Sequence, residues 1–535
     1  MKKLLVICIV VFAFLLRTYN VTKVPPSLSW DEVSIGYNAY SILKTGRDEH
    51  GKFLPLDAFA AYGDYKPPLS IYITVPFVAL FGLSELAVRL PSVIFGTGAV
   101  VLLYFVTLEL FQKSERKKTI ALITSLSVAI SPWHINLSRA GFEANIGLFF
   151  VVLGVYFALI ARKHPRIWLW TWLPFVAGVY TFNSTRFFVP FMGLGLVAYC
   201  RKSMMNAKRY VALGAIIAVV ALLPILPHLV SKEAQLRFVE VNIFTDLSIV
   251  KTANDRIAYD NHSLLSEILD NRRVGYARSF LTHYFDHFTS DFLFIKGDGN
   301  PKFSTQDVGE LYLIDLPFLL IGAYCMFAYF PGEAMLVSYW LLAAIIPAAT
   351  ARETPHALRI LNSLPAWHLF IALGLVMFFY TIIKQRKILI TILVCGGYLL
   401  SVGYYLHNYY VHYPRLYSNE WQYGYKQALS YVNANGSKYK TIYLSESIGR
   451  AYMYTLFYTK YDPGTFQKSK SSYFDAAGFY HVNGFGMYVF ADVAPEVLDN
   501  SSLYIFPSNQ VPTTARVLQT ISLLDGEPVL TIFEK

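Results

Sequence analysis

Apolar residues in this chain gather into long runs, and polar residues into short stretches between them. Windows near 3–19, 89–111, 119–137, 142–161, 166–182, 187–200, 209–229, 311–330, 334–350, 357–380 and 387–406 carry few charges. Such runs predict membrane-spanning helices, for which ~20 apolar residues suffice, although several windows fall short of that length. A further run, 67–82, opens with Pro67-Pro68. Counted as a crossing, it would put the basic stretch 113–118 outside. It is therefore predicted as a juxtamembrane or re-entrant helix on the outer face, with its exposed backbone covered by protein or water. Eleven spans remain.

Charge sets the orientation. Lys2-Lys3, the stretch Lys113 to Lys118, Arg162 to Arg166, Arg201-Lys202 with Lys208-Arg209, and Lys384-Gln385-Arg386-Lys387 all fall on one side, which is then cytoplasmic. The loop Phe330-Pro331-Gly332-Glu333 belongs to the same side without being basic. The N-terminus is expected inside and the C-terminus outside. Met1-Lys2-Lys3 and the apolar run to Leu16 resemble a signal peptide, but Arg17-Thr18-Tyr19-Asn20 follow instead of a small-residue cleavage site, so an uncleaved first helix is expected. The chain is 55% hydrophobic and 15% charged, where a soluble domain carries about a quarter charged residues. Its net charge of +11 follows from the basic inner loops, and no basic face or motif points to nucleic acid. Cys8, Cys200, Cys325 and Cys395 each lie in an apolar run without metal-ligand spacing, and are expected as buried free thiols.

Three segments are then extracytoplasmic: a first loop over 20–88, a second over 230–310, and a tail over 407–535. The tail has its own composition. Helices are predicted over 421–433 and 449–461, and strands over 440–444, 487–490, 503–506 and 528–533. The expected organisation is a transmembrane catalytic domain over 1–406 and a small extracytoplasmic α/β domain over 407–535.

The candidate chemistry sits at the outer ends of the helices. Ser29-Trp30-Asp31-Glu32 places two adjacent carboxylates close to the bilayer, where ionisable groups are functional by default. The first loop adds Asp48, Glu49, Asp64 and Lys66; other outer helix ends add Arg139 and Glu143, Arg352, His356 and Arg359. Arginine and lysine at headgroup level bind phosphate. A carboxylate beside them can take a proton from an incoming hydroxyl. Asp64, Glu143 and His356 could instead hold a divalent metal ion, the one cofactor the residues suggest. Blander roles compete: a helix N-cap for Asp31, snorkelling for Lys66, Arg139 and Arg359, and an interhelical hydrogen bond for His356. Asp48-Glu49, flanked by Gly46 and Gly51, is expected as a solvated turn. Tyr404, Tyr405, Tyr409, Tyr410 and Tyr413 are expected as an interfacial belt.

Trp30-Asp31-Glu32, Lys66-Pro67-Pro68-Leu69, Arg89-Leu90-Pro91-Ser92, and Ser138-Arg139 followed by Glu143 resemble, in order and spacing, the GT-C glycosyltransferases. The resemblance is to the bacterial branch that holds protein O-mannosyltransferases and the lipid A aminoarabinose transferase. It extends to His356-Ala357-Leu358-Arg359 with Leu364-Pro365. It implies a GT-C fold and a polyprenyl-phosphate sugar as donor. It implies Asp31 as catalytic base, Glu32 as its partner in orienting the acceptor, and Lys66 and Arg139 on the lipid phosphate. Tyr65 separates Asp64 from Lys66, one residue out of the related pattern. Lysine stands where the eukaryotic mannosyltransferases carry histidine before Pro-Pro.

The resulting expectation is a multi-pass plasma-membrane glycosyltransferase. It would move one sugar from a polyprenyl-phosphate donor to a glycan, lipid or protein acceptor on the extracytoplasmic face. Asp31 would deprotonate the acceptor, the anomeric centre would invert, and Lys66, Arg139 and Arg359 would hold the phosphate. A lipid-sugar transporter would show internal repeats and midplane charges, and none is visible. A non-catalytic glycan-binding membrane protein is the other alternative, and the Asp31-Glu32 pair argues against it.

Overall fold

The structure, a computed structural model, describes residues 2–231, 239, 241–382, 387–475 and 479–535. Met1 and the basic residues Lys384 and Arg386 lie outside the described residues. Among the described residues, six helices are long and apolar enough to cross a membrane by length and composition: Glu85–Leu110, Glu143–Ala161, Lys208–Leu229, Pro331–Ala349, Leu361–Tyr380 and Ile388–Leu416. The pair Lys117–Ile130 and Pro132–Arg139, bent by 55°, makes a seventh if it is one span. This is a helical membrane protein. Three of the unmatched windows have a local cause. The first helix, α1 (Lys2–Thr18), has 17 residues and Asp315–Tyr329 has 15. The window at 166–182 is split between a 3-10 turn, Pro165–Leu169, and the eight-residue helix Trp172–Val179. The run 67–82 forms a 13-residue helix, Leu69–Phe81, only about 20 Å long at 1.5 Å per residue.

The chain divides into two compact units. One comprises 1–13, 96–137 and 144–405; the other comprises 14–95, 138–143 and 406–535. In the first, the helices Asp315–Tyr329 and Leu364–Met377 approach closely. A Cβ at Gly322 would strike the Phe370 carbonyl, and one at Gly374 would strike the Phe318 carbonyl. Each glycine thus faces the other helix's backbone, the small-residue packing that lets membrane helices gain van der Waals contact.

The second unit has a large core shared by the first loop and the tail, beside a smaller cluster of Leu498, Tyr504, Phe506 and Phe533. Leu28, Val33, Tyr37, Phe59 and Ile71 of the first loop pack with Tyr425, Leu429, Met453, Phe457, Leu503 and Ile532 of the tail. Helix α2 (Trp30–Thr45) lies on the helix Ala451–Tyr458, and Gly36 admits the ring of Phe457 and the side chain of Val88. The loop also contains a hairpin, β1 (Phe59–Ala61) with β2 (Asp64–Lys66). Its two-residue turn, Tyr62-Gly63, has φ of 60° and 98°, the doubly left-handed turn that matches strand twist. The tail strands are β3 (Thr441–Ser445), β4 (Ser471–Phe474), β5 (Tyr480–Phe485), β6 (Tyr488–Ala491), β7 (Ser502–Phe506), β8 (Arg516–Ser522) and β9 (Pro528–Glu534). They form a mixed sheet in the order β4-β5-β6-β3-β7-β9-β8, with β3 parallel to β6 and β7. The four strands expected from sequence correspond to β3, β6, β7 and β9. Strands β4 and β8 carry mostly exposed residues, and so lack the apolar alternation that reveals a half-buried strand.

Gly374→Ala should lower the melting temperature and the folded yield in detergent, because overpacking costs about 1–3 kcal/mol. Gly403, with nothing within 4 Å of its would-be Cβ, should accept alanine without loss in the same thermal assay.

Candidate functional site

Asp31 and Glu32 open helix α2, and their environments are opposite. Ser29 is the N-cap: its hydroxyl accepts the Glu32 N–H (3.4 Å), while the Glu32 carboxylate accepts the Ser29 N–H (2.9 Å). This capping box satisfies two donors of the helix terminus. Glu32 also takes the Arg89 Nε–H (2.8 Å) and the Gly141 N–H (2.8 Å) and is fully buried. Gly141 is needed there, since a Cβ would press on Glu32 and Val88 at 3.1–3.2 Å. Arg89 is equally buried. Beyond Glu32 it donates to the carbonyls of Val21 (2.7 Å), Pro25 (2.9 Å) and Ser27. A second N–H meets the other Glu32 oxygen at 3.3 Å, so all five guanidinium donors are used. Glu32 has no open surface with which to orient an acceptor; it anchors the helix that presents its neighbour.

Asp31 keeps 37% of its side chain exposed. On its inner side is Lys66, the last residue of β2, whose ammonium lies 2.8 Å from Asp31 and 3.0 Å from Glu143. Lys66 and Glu143 are buried. Burial by itself would lower the Lys66 pKa, but Asp31, Glu143 and then Asp64 outweigh it and hold the ammonium well above the ordinary lysine range. Lys66 therefore stays charged. Its third N–H has no partner among the described residues.

Arg139 is arranged differently from a phosphate ligand. It donates to the carbonyls of Leu16 (2.7 Å), Tyr19 (2.7 Å) and Val24 (2.9 Å) and to the Tyr409 hydroxyl (3.3 Å). Its guanidinium also lies against the rings of Tyr409 (5.3 Å) and Tyr410 (5.0 Å). Four of its five donors are consumed, so it ties the end of the first helix to the start of the tail. The expected interfacial belt changes with it. Tyr405, Tyr409 and Tyr413 are buried, and Tyr413 accepts the Trp421 Nε1–H at 2.8 Å.

Arg352, His356 and Arg359 lie in the other unit. His356 is buried with its Nδ1 3.6 Å from Asp298, stacks on Phe303 at 4.9 Å, and donates its backbone N–H to His287 (3.1 Å). Burial raises the Asp298 carboxyl to about 6 and pushes the His356 imidazole well below its usual range. Arg359 donates to the Glu353 carbonyl (3.4 Å), and Arg352 to the carbonyls of Asn242 (3.5 Å) and Val239 (3.4 Å). Among the described residues no three His, Cys, Asp or Glu side chains group closely enough to hold a metal ion. The cysteines are free, with Cys200 and Cys325 buried and Cys8 and Cys395 exposed.

Sequence reading named Arg89 only within a family motif, without a role, and did not name Asp298. Arg89 offered a signal: an arginine opening an apolar run needs a buried carboxylate. Asp298 offered none, lying in an ordinary Gly-Asp-Gly-Asn stretch. Asp48-Glu49 is not a solvated turn. Both carboxylates are buried, and Glu49 faces Asn38, His50 and the backbone partner Lys470.

Residues 65–229 match the family model of dolichyl-phosphate-mannose-protein mannosyltransferases. This match includes Lys66, Arg89, Arg139 and Glu143. Solved structures agree over more of the chain. The ArnT crystal structure from Cupriavidus metallidurans bound to undecaprenyl phosphate is 13% identical. It matches with a TM-score of 0.51, over 99% of this chain and 97% of that one. The oligosaccharyltransferase AglB from Archaeoglobus fulgidus, in complex with an inhibitory peptide and a dolichol-phosphate, is 14% identical with a TM-score of 0.51. The match covers 85% of this chain and 63% of AglB. The apo Archaeoglobus fulgidus enzyme gives 0.53 at 12% identity over the same shares. The fold is that of the PMT- and ArnT-like GT-C glycosyltransferases. No curated protein matches the chain. The family match over residues 65–229 supports glycosyltransferase activity in general.

Two outcomes follow. Glu32→Gln should strip the fully buried Arg89 of its counter-charge, costing about 3–5 kcal/mol, while the half-open Asp31→Asn should leave the melting temperature in detergent nearly unchanged. Burial, with the Asp48 charge beside it, raises the Glu49 pKa from 4.5 to about 8. The folded state thus holds a proton that the unfolded state releases between those values, and Glu49's contribution to stability falls as pH rises through that window. Thermal unfolding across the window should show a slope that Glu49→Gln reduces.

Proposed function

We propose that this GT-C chain transfers a sugar from a polyprenyl-phosphate donor to an acceptor hydroxyl on the extracytoplasmic face, with inversion, and with Asp31 as general base. The observation that carries this reading is one buried lysine shared by two carboxylates, only one of which opens to solvent. The related ArnT structure holds undecaprenyl phosphate, and AglB a dolichol-phosphate. Polyprenyl phosphate is the corresponding donor lipid here.

The residues divide the work as their surroundings allow. Asp31 takes the proton from the acceptor hydroxyl as its oxygen attacks the anomeric carbon. The bond from that carbon to the phosphate oxygen breaks, and polyprenyl phosphate leaves. The third N–H of Lys66 meets a phosphate oxygen. A phosphate drawing on Lys66 loosens its grip on Asp31, and the carboxylate becomes a better base. Glu143 and Asp64 keep Lys66 charged throughout. Glu32 and Arg89 act as positioning residues that hold the helix start carrying Asp31. Arg139 keeps the entry of the first helix closed against the tail.

Membrane orientation follows the same proposal: Asp31 and the tail outside, Lys117 and Lys387 inside. With the four native cysteines replaced by serine, an impermeant thiol reagent should label single cysteines in 420–530 and spare 113–118. Labelling at 113–118 from outside would reverse the topology. For the chemistry, sugar transfer is measured at saturating donor with thermal unfolding as folding control. Asp31→Asn should lose about 10²–10⁴-fold in rate, the usual worth of a positioned base. Lys66→Ala should raise the donor KM or lower kcat. Near-normal transfer by Asp31→Asn would remove the base from this site.

A further inference from the structure

Asp31 has an inner side occupied by Lys66 and an outer side that is open, and the outer side has its own built surroundings. Trp30, partly exposed, precedes Asp31. A turn of the tail rests on it: Gly449 has φ +91°, and a Cβ there would touch the Trp30 ring at 3.6 Å. Arg450 follows at φ +61° and ψ 36°, a left-handed conformation that a non-glycine residue holds only at a cost in free energy. The turn lays the Arg450 guanidinium over the Tyr62 ring, 4.8 Å from its centroid. Tyr62 sits at the tip of the β1–β2 hairpin, and its hydroxyl donates to the Trp30 carbonyl at 2.9 Å. The charges of both Asp31 and Arg450 reach that hydroxyl.

Arg450 is half-buried, its guanidinium also lies 5.9 Å from the Phe479 ring, and among the described residues no carboxylate comes within ion-pair distance of it, although the Glu446 charge reaches it. Glu446, four residues earlier, spends its carboxylate on the backbone N–H groups of Ala451 (3.4 Å) and of Arg450 itself. Arg89 and Arg139 spend their donors on carbonyls and carboxylate, whereas Arg450 keeps its planar fork available. A free fork of N–H donors on an aromatic face suits a phosphate or carboxylate.

Resting on the glycosyltransferase reading, we propose that Arg450 recognises the acceptor, and that the acceptor carries an anionic oxygen group, phosphate or carboxylate, near the hydroxyl presented to Asp31. The tail thereby contributes specificity to a reaction whose base lies in the first loop.

The test begins with binding. Full-length protein in detergent is treated with phenylglyoxal, and modification of Arg450 is followed by peptide mass spectrometry. Phenyl phosphate, benzoate and benzyl alcohol are compared as probes. Protection by phenyl phosphate assigns a phosphate, protection by benzoate a carboxylate, and benzyl alcohol should leave the rate unchanged. Equal modification with all three probes and with buffer overturns the proposal. The second arm measures transfer to a phosphate-bearing glycolipid pool before and after phosphatase treatment. Wild type should prefer the untreated pool by about 10–100-fold, the worth of a charge-assisted contact. Arg450→Gln should abolish that preference at unchanged donor KM, and Arg450→Lys should retain part of it. Protection of Arg450 without transfer to either pool would sink the glycosyltransferase reading and leave the anion site standing. Equal use of both pools by wild type and Arg450→Gln, with no protection by either anion, would sink the anion site and leave the glycosyltransferase reading intact.

Discussion

The ion pair between Glu32 and Arg89 is the constraint on which the site unit depends. Two opposite charges with no exposed surface persist only when every donor and acceptor is matched. Here Arg89 gathers the carbonyls of residues 21, 25 and 27 together with the Glu32 carboxylate. Glu32 in turn caps its own helix and takes the Gly141 N–H. One pair therefore fixes the loop entry, the start of α2, the start of the helix Glu85–Leu110 and the short segment 138–143. Asp31 is held by this arrangement without belonging to it.

Lys66 repeats the logic with a different outcome. It is a buried cation, but its partners Asp31 and Glu143 are two carboxylates rather than a satisfied set of carbonyls. The excess of negative charge around one ammonium keeps it protonated and leaves one carboxylate at the surface. Arg139 shows the contrast within the same unit. Its carbonyl and tyrosine partners satisfy it almost completely, which suits a clasp. What separates a chemically available cation from a structural one is how many of its donors the protein has already used.

The tail belongs physically with the first loop. Tyr37 donates to the Tyr461 carbonyl, Tyr454 to the Leu28 carbonyl, and Lys426 and Tyr458 both meet Glu85. These bonds rim the apolar core that the two segments share. A tail held in this way presents its turns at the Asp31 surface as rigidly as the loop does. That is why Arg450, some 390 positions later in the chain, can lie on the ring of Tyr62.

Much of this was legible in the chain. Apolar runs gave away the membrane helices, because burial in lipid demands continuous apolar stretches whatever the fold. Asp31, Lys66 and Glu143 stood out because charge near a bilayer has few reasons to be there. Three-dimensional packing decided the rest. Successive residues on a helix point about 100° apart, so whether Asp31 or Glu32 faces solvent depends on where Arg89 and Gly141 lie. Arg139 and Lys66 look alike in sequence, and only their partners from distant segments separate clasp from site. The burial of Asp48-Glu49 beneath the tail, and the edge strands with exposed faces, likewise arise from contacts across hundreds of residues. Periodicity and local composition record which residues must avoid water; they do not record which distant group each polar atom will meet.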